Sequence, residues 1–144
     1  MLPTRWRFLI ATAGAALSLA FAVVALPHSN SRSFEKTGAP ITLVYVGAQD
    51  CAPCRIWQRG EGTAFHASAE FARLSYREIK PPTLMDVLKD DFWPEDLRIY
   101  RHAIGREAGV PLWLVMADDQ VVLKGFGATQ WVASILPKIK QLLR

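Results

Sequence analysis

With 144 residues the chain has the length of one domain, and its 51% hydrophobic content is inflated by a single N-terminal stretch. The formal charge of +4 loses two once Arg5 and Arg7 of that leader are set aside, which leaves a near-neutral domain without a nucleic-acid footprint. A phosphate loop, a nucleophilic serine constellation and a paired-carboxylate signature are likewise missing from the sequence.

Arg5 and Arg7 precede residues 8–26, which carry no charge. Residues 1–26 therefore read as an export signal or a membrane anchor. The uncharged run approaches the roughly 20 residues of a spanning helix, and Ala20-Phe21-Ala22 also offers a small-residue cleavage choice. The basic start puts the rest of the chain across the membrane, although Arg32 and Lys36 weaken the asymmetry. Residues 27–40 are polar and breaker-rich and read as a tether. The domain proper is expected over 41–144.

Residues 41–46 (Ile-Thr-Leu-Val-Tyr-Val) have the β-branched and aromatic content of a buried strand. Cys51-Ala52-Pro53-Cys54 follows, at the start of a helix expected over 51–59. Gly60 and Gly62 each cost roughly 1 kcal/mol in a helix, which predicts a break there and a resumed helix over 64–71. Residues 74–79 alternate as a second strand would, and Pro81-Pro82 stops it. Helices are expected over 83–89 and 95–106, the second with Leu97, Tyr100, Ile104 and Ala108 at helical spacing and Gly109 ending it. Residues 112–116, an Asp118-Asp119 turn and residues 121–123 read as a hairpin. Thr129 is expected to cap a last helix in which Trp131, Ile135, Ile139 and Leu142 form an apolar stripe and Pro137 introduces a bend. The order βαβαββα predicts an α/β fold: a right-handed parallel crossover, a terminal hairpin added antiparallel, and helices on both faces of the mixed sheet.

The two cysteines are the only ones in the chain. At a helix start, residues three apart share a face, so the pair can close and open with little backbone movement. Free backbone N–H groups and the positive dipole end favour a thiolate on Cys51, which makes it the attacking sulfur. Pro53 suits a first turn that has no use for its missing N–H. Cys54, further in, is the resolving thiol, and exchange runs through a mixed disulfide between Cys51 and a partner protein. Exported proteins meet an oxidising compartment. One closely spaced pair cannot staple distant parts of a fold, which favours a reactive dithiol over a structural one.

The strand before the Cys-x-x-Cys, Gly109-Val110-Pro111 opening the next apolar strand, and Gly125-Phe126-Gly127 before the final helix together resemble the thioredoxin superfamily over about 41–143. The resemblance implies a thioredoxin-like fold, with a central mixed sheet flanked by helices behind the N-terminal leader. It implies a cis bond before Pro111, with Val110 offering backbone hydrogen bonds to an extended substrate segment. Two departures stand out. Tyr45 occupies the place of a buried acid that helps to deprotonate the resolving thiol in thioredoxins proper, and Asp50 stands where they carry Trp. Asp50 opposes a thiolate on Cys51, whereas Arg55 favours one. The leader, single dithiol and Ala-Pro spacer are similar to exported or anchored periplasmic thioredoxin-like reductases, some of which serve cytochrome c or copper-site maturation. This resemblance implies the general activity without that substrate. It further implies no cofactor, protein disulfides or dithiols as substrates, an upstream membrane electron donor or acceptor, and a periplasmic location, either free or anchored to the inner membrane.

The direction of electron flow is open, because potentials in this fold span about 150 mV. A copper(I)-binding chaperone or a redox-inert module on the same scaffold is the alternative. Soft thiolates with an imidazole satisfy copper(I), but His28, His66 and His102 stand at no ligand-like interval from the cysteines. No metal is therefore expected. Residues 90–96 (Asp-Asp-Phe-Trp-Pro-Glu-Asp) suit either partner recognition or a helix start with core aromatics, and Trp57, Trp113 and Trp131 fit packing.

Overall fold

β1 (Ile41–Val46) pairs on both sides and is buried on both faces, which is why it reads as an unbroken apolar run. A computed structural model describes residues 40–105 and 109–144. The leader, and all of the tether except Pro40, lie outside the described residues. Among the described residues no helix is long and apolar enough to cross a membrane.

The sheet has the order β2-β1-β3-β4. β2 (Ser75–Ile79) runs parallel to β1, from Thr42 opposite Ser75 to Val46 opposite Ile79. β3 (Leu112–Ala117) lies antiparallel on the other side of β1, with Tyr45 opposite Trp113 and Val46 opposite Leu112. β4 (Gln120–Phe126) closes the sheet as an antiparallel edge. Asp118 and Asp119 join β3 to β4 with φ of 50° and 59°. Two consecutive positive φ values define the tight hairpin turn whose twist matches the strands, and aspartate is among the few non-glycine residues to accept them.

The first helix begins as Ala52–Trp57, passes without a break through a π-helical stretch Gln58–Gly62, and closes as Thr63–His66. We label this helix of residues 52–66 α1. The expected break at Gly60 and Gly62 does not occur, and packing explains why. A β-carbon on Gly62 would lie 3.1 Å from both the ring and the carbonyl oxygen of Trp57, so the bare glycine lets the buried indole fold back on its own helix. A β-carbon on Gly60 would meet nothing. Gly60→Ala is accordingly expected to raise stability by about 0.5–1 kcal/mol in denaturant unfolding. Gly62→Ala should forfeit that gain or lose stability, and equal gains at both positions would contradict the packing account.

Beyond α1 the expected helix to residue 71 is replaced by a turn at Ala67 and a 3-10 turn, Phe71–Arg73. The helix expected over 83–89 is a single 3-10 turn, Leu84–Asp86. Leu84 and Met85 stay exposed there, so only Val87 and Leu88 of this segment reach the core, too few to hold a helix of two turns. Two further 3-10 turns, Asp90–Phe92 and Glu95–Leu97, lead into α2 (Arg98–Ile104). Gly105, at φ 79°, ends α2 four residues before the expected stop. The last helix starts as Ala128–Gln130, widens into a π-helical stretch Trp131–Ile135, and ends as Leu136–Leu142; we label residues 128–142 α3. Its N-cap is Gly127 and not Thr129. Pro137 follows the wide turn, where its missing N–H disturbs the helix least.

Strand register sorts the core into two layers. Leu43 and Tyr45 share a face with Val115 and Trp113, and α1 and α3 cover it through Trp57, Phe65 and Trp131. Thr42 and Met116 lie on the opposite face beside Leu97 and Tyr100. Trp93 is part of the buried core, its Nε1 donating to the carbonyl of Val87 at 2.7 Å, whereas Phe92 remains exposed.

Candidate active site

The loop between β1 and α1 is tied to the end of β2 by its backbone. The Gly47 N–H donates to the Ile79 carbonyl at 2.9 Å, and the Gln49 N–H to the Pro81 carbonyl at 3.0 Å. This fixes Cys51 as the N-cap of α1, with Pro53 in the first turn as its chemistry requires. Cys51 and Cys54 form a disulfide, their Cα atoms 5.2 Å apart. The Cys54 N–H donates to Cys51 Sγ at 3.1 Å. The sulfur thus takes the place that a serine or aspartate oxygen holds in ordinary helix caps. Cys51 is 2% exposed and Cys54 0%, while Ala52 and Pro53 between them are open to solvent.

The second landmark reaches the same end of the sheet. Val46, the last residue of β1, pairs with Leu112, the first of β3, so Pro111 and Gly47 leave the sheet side by side. The Val110–Pro111 bond is cis. Pro111 is buried, and its carbonyl accepts from the Gly127 N–H at 2.8 Å. A β-carbon on Gly109 would touch the ring of Phe126 at 3.4 Å. The Gly109-Val110-Pro111 and Gly125-Phe126-Gly127 segments, far apart in sequence, therefore pack on each other. Val110 is half-buried.

Arg55 does not pair with Asp50: its Nη1 donates to the Gln49 carbonyl at 2.7 Å, and Asp50 is exposed. Tyr45 is fully buried, stacked on Trp57 at 4.7 Å between ring centroids. Its hydroxyl has no hydrogen-bond partner among the described residues. Burial first, and then the charge of Glu78, raise its pKa well above the ordinary tyrosine value. At neutral pH Tyr45 is a protonated phenol and supplies no base to Cys54. The tyrosine belongs to a buried cluster in which Trp57, Trp113 and Trp131 meet at 5.0–5.5 Å, partly edge to face. Such packing offers each indole edge a π face.

Tyr76 is raised in the same way, by burial and then by Glu78 and Tyr45. For both, the folded state favours the neutral phenol, so the stability they contribute is complete below the unfolded pKa of about 10 and is lost as pH rises beyond it towards the folded value. In an alkaline titration, tyrosinate absorbance from Tyr45 and Tyr76 should appear only together with loss of the fold. Tyr45→Phe and Tyr76→Phe assign the signal, and ionisation of either while the chain stays folded would contradict the burial argument.

His66 packs against Phe71 and Tyr76, at 4.7 and 4.9 Å, and His102 lies beside Arg101. His28 lies outside the described residues. No group of three or more His, Cys, Asp or Glu side chains suited to a metal occurs among the described residues. Sequence reasoning passed over Gln49, Gln58, Arg59 and Lys80, which join Arg55 around one cavity. The four-residue spacing of Arg55 and Arg59 along α1 was the available signal.

The fold that places these residues is thioredoxin-like. The periplasmic thioredoxin SoxS from Paracoccus pantotrophus, in its reduced form, superposes with a TM-score of 0.51 at 13% identity, over 72% of this chain and 99% of that one. Thioredoxin from Malassezia sympodialis (TM-score 0.49, 15% identity, 72% and 78% covered) and thioredoxin f from spinach chloroplast (0.49, 14%, 74% and 80%) are also similar. No family model matches the sequence, and no curated protein does.

Proposed function

We propose that this chain is an exported, periplasmic thiol-disulfide oxidoreductase that exchanges electrons between Cys51–Cys54 and disulfides in partner proteins. The reading rests chiefly on the N-cap position of Cys51, where a backbone N–H is already directed at its sulfur. After reduction that donor and the start of α1 favour the thiolate on Cys51 over that on Cys54. In the reducing direction the Cys51 thiolate attacks one sulfur of the partner's disulfide. A Cys51–partner bond forms, and the other partner sulfur leaves as a thiolate and takes a proton. Cys54, deprotonated, then attacks Cys51 Sγ, releasing the second partner thiolate and restoring the Cys51–Cys54 disulfide. Two electrons have passed to the partner, and a dithiol donor resets the site. The oxidising direction is the same sequence reversed.

Val110 and Pro111, at the same sheet end as the loop to Cys51, are the backbone platform for the partner. Pro53 stiffens the first turn, Asp50 and Arg55 set opposing charges beside the sulfurs, and Tyr45 is a neutral filler in place of an acid. Export is supported by the basic and then uncharged character of residues 1–26. Either an anchored or a released domain allows a membrane protein to supply or withdraw the electrons.

The test is catalysed reduction of insulin by dithiothreitol with residues 41–144 in the context of the full chain. Acceleration over dithiothreitol alone, abolished by Cys51→Ser, is the expected result. No acceleration in either direction of exchange would overturn the reading.

A further inference from the structure

An open cavity of about 440 Å³ is lined by Gln49, Arg55, Gln58, Arg59 and Lys80. Its lining holds three cations and two amides and not a single carboxylate. The position ties it to the dithiol: Gln49 is two residues before Cys51, Arg55 directly follows Cys54, and Lys80 follows the end of β2, to which the loop before Cys51 is hydrogen-bonded. Glu78, next to Lys80 in sequence, touches two of the lining side chains and offsets part of the Lys80 charge, which leaves Arg55 and Arg59 as the lining cations without a carboxylate partner among the described residues. Its Oε1 accepts from Gln58 Nε2 at 3.1 Å and sits 3.8 Å from Lys80 Nζ.

The cations are arranged and not merely numerous. Arg55 spends one N–H on the Gln49 carbonyl, which fixes the guanidinium at the cavity and leaves its other donors available. Arg59, one turn on, makes no ion pair among the described residues. Guanidinium groups match carboxylates with two parallel hydrogen bonds, and glutamine amides add neutral donors. Positive charge gathered in a concave surface attracts anions more strongly than the same charge spread over a convex one.

We propose that this cavity docks an acidic stretch of the partner protein, so that the disulfides this chain prefers are flanked by Asp or Glu. The inference rests on the thiol-disulfide reading and adds the substrate class to it. Partner carboxylates seated on Arg55, Arg59 and Lys80 hold the partner's disulfide beside Cys51, while the Val110–Pro111 platform stays available for the backbone next to that disulfide.

Two disulfide-bonded peptides of equal length test it, one with Asp and Glu beside the disulfide and the other with Asn and Gln, both reduced in the presence of dithiothreitol. The readout is the ratio of kcat/KM values, acidic over neutral. In the natural protein this ratio should exceed one and should fall as salt is added. In Arg59→Gln/Lys80→Gln it should drop by about fivefold, and Arg59→Lys with Lys80 intact should recover most of it. Arg55 is left in place because it adjoins Cys54. A ratio at or below one in the natural protein, or the same ratio in the double variant, would overturn the docking proposal.

A second measurement keeps the two readings apart. An acidic peptide without cysteine is titrated into the oxidised protein, and shifts of the Gln49, Gln58 and Arg59 backbone amide signals are followed by nuclear magnetic resonance. Salt-sensitive binding that the double variant loses supports the cavity even if neither peptide is reduced, in which case the oxidoreductase reading alone falls. Reduction of both peptides without such binding leaves the oxidoreductase reading standing and removes the docking site.

Discussion

A Cys54→Ser variant is expected to accumulate disulfide-linked adducts with partner proteins, and a Cys51→Ser variant to form few or none. The asymmetry follows from the cap. Cys51 Sγ receives the Cys54 N–H, and of the two residues only Cys51 keeps any exposure, 2% against 0%; in the proposed exchange Cys54 releases what Cys51 has captured. With Cys54 replaced, the first exchange proceeds and the second cannot, so the mixed disulfide persists until an external thiol resolves it. Turnover in either variant should fall to the level of dithiothreitol alone. Non-reducing electrophoresis of the full-length protein expressed in cells, with thiols blocked at harvest, reads the result. Equal trapping by both variants would contradict the assignment of roles.

Trp131→Ala should be the most damaging single change away from the cysteines. Trp131 is 0% exposed and touches Trp57, Phe65 and Trp113, so its removal opens a hole where two helices and the sheet converge. Large-to-small changes of this kind cost about 3–5 kcal/mol, a large part of the roughly 5–15 kcal/mol that holds a typical domain. Val132→Ala, next in sequence on the exposed side, should stay within about 0.5 kcal/mol of the natural protein. Denaturant unfolding monitored by circular dichroism compares the two, and a cost below about 1 kcal/mol for Trp131→Ala would mean that the cluster does not carry the core.

The frame of this fold was legible where one physical signal dominated. Residues 41–46 read as a strand because burial on both faces demands an apolar run, and Asp118-Asp119 marked the hairpin because few residues accept two positive φ values. The cysteines and Val110-Pro111 were visible as motifs. What joins them, namely the pairing of Val46 with Leu112 that brings their loops to one end of the sheet, is a tertiary fact. Errors arose where local propensity lost to packing. The helix crosses Gly60 and Gly62 because Trp57 needs the space over Gly62, and Leu84 and Met85 find no core to hold a helix. The cationic cavity went unseen because Lys80 comes from a strand end distant in sequence, and Arg59 lay where the helix was expected to stop.

Both helices over the tryptophan cluster widen for one turn, α1 at Gln58–Gly62 and α3 at Trp131–Ile135, beside the rings of Trp57 and Trp131, which meet at 5.0 Å. A wide turn accommodates one residue more than regular winding would. Along α1 the buried positions Cys54, Trp57, Gly62 and Phe65 advance by three, five and three, so the surplus residue is absorbed between the indole and the glycine without rotating either flank. Natural variants of this chain that differ in length by a single amino acid are therefore to be sought at this turn, where the change is taken up locally and the cysteines ahead of it keep their orientation.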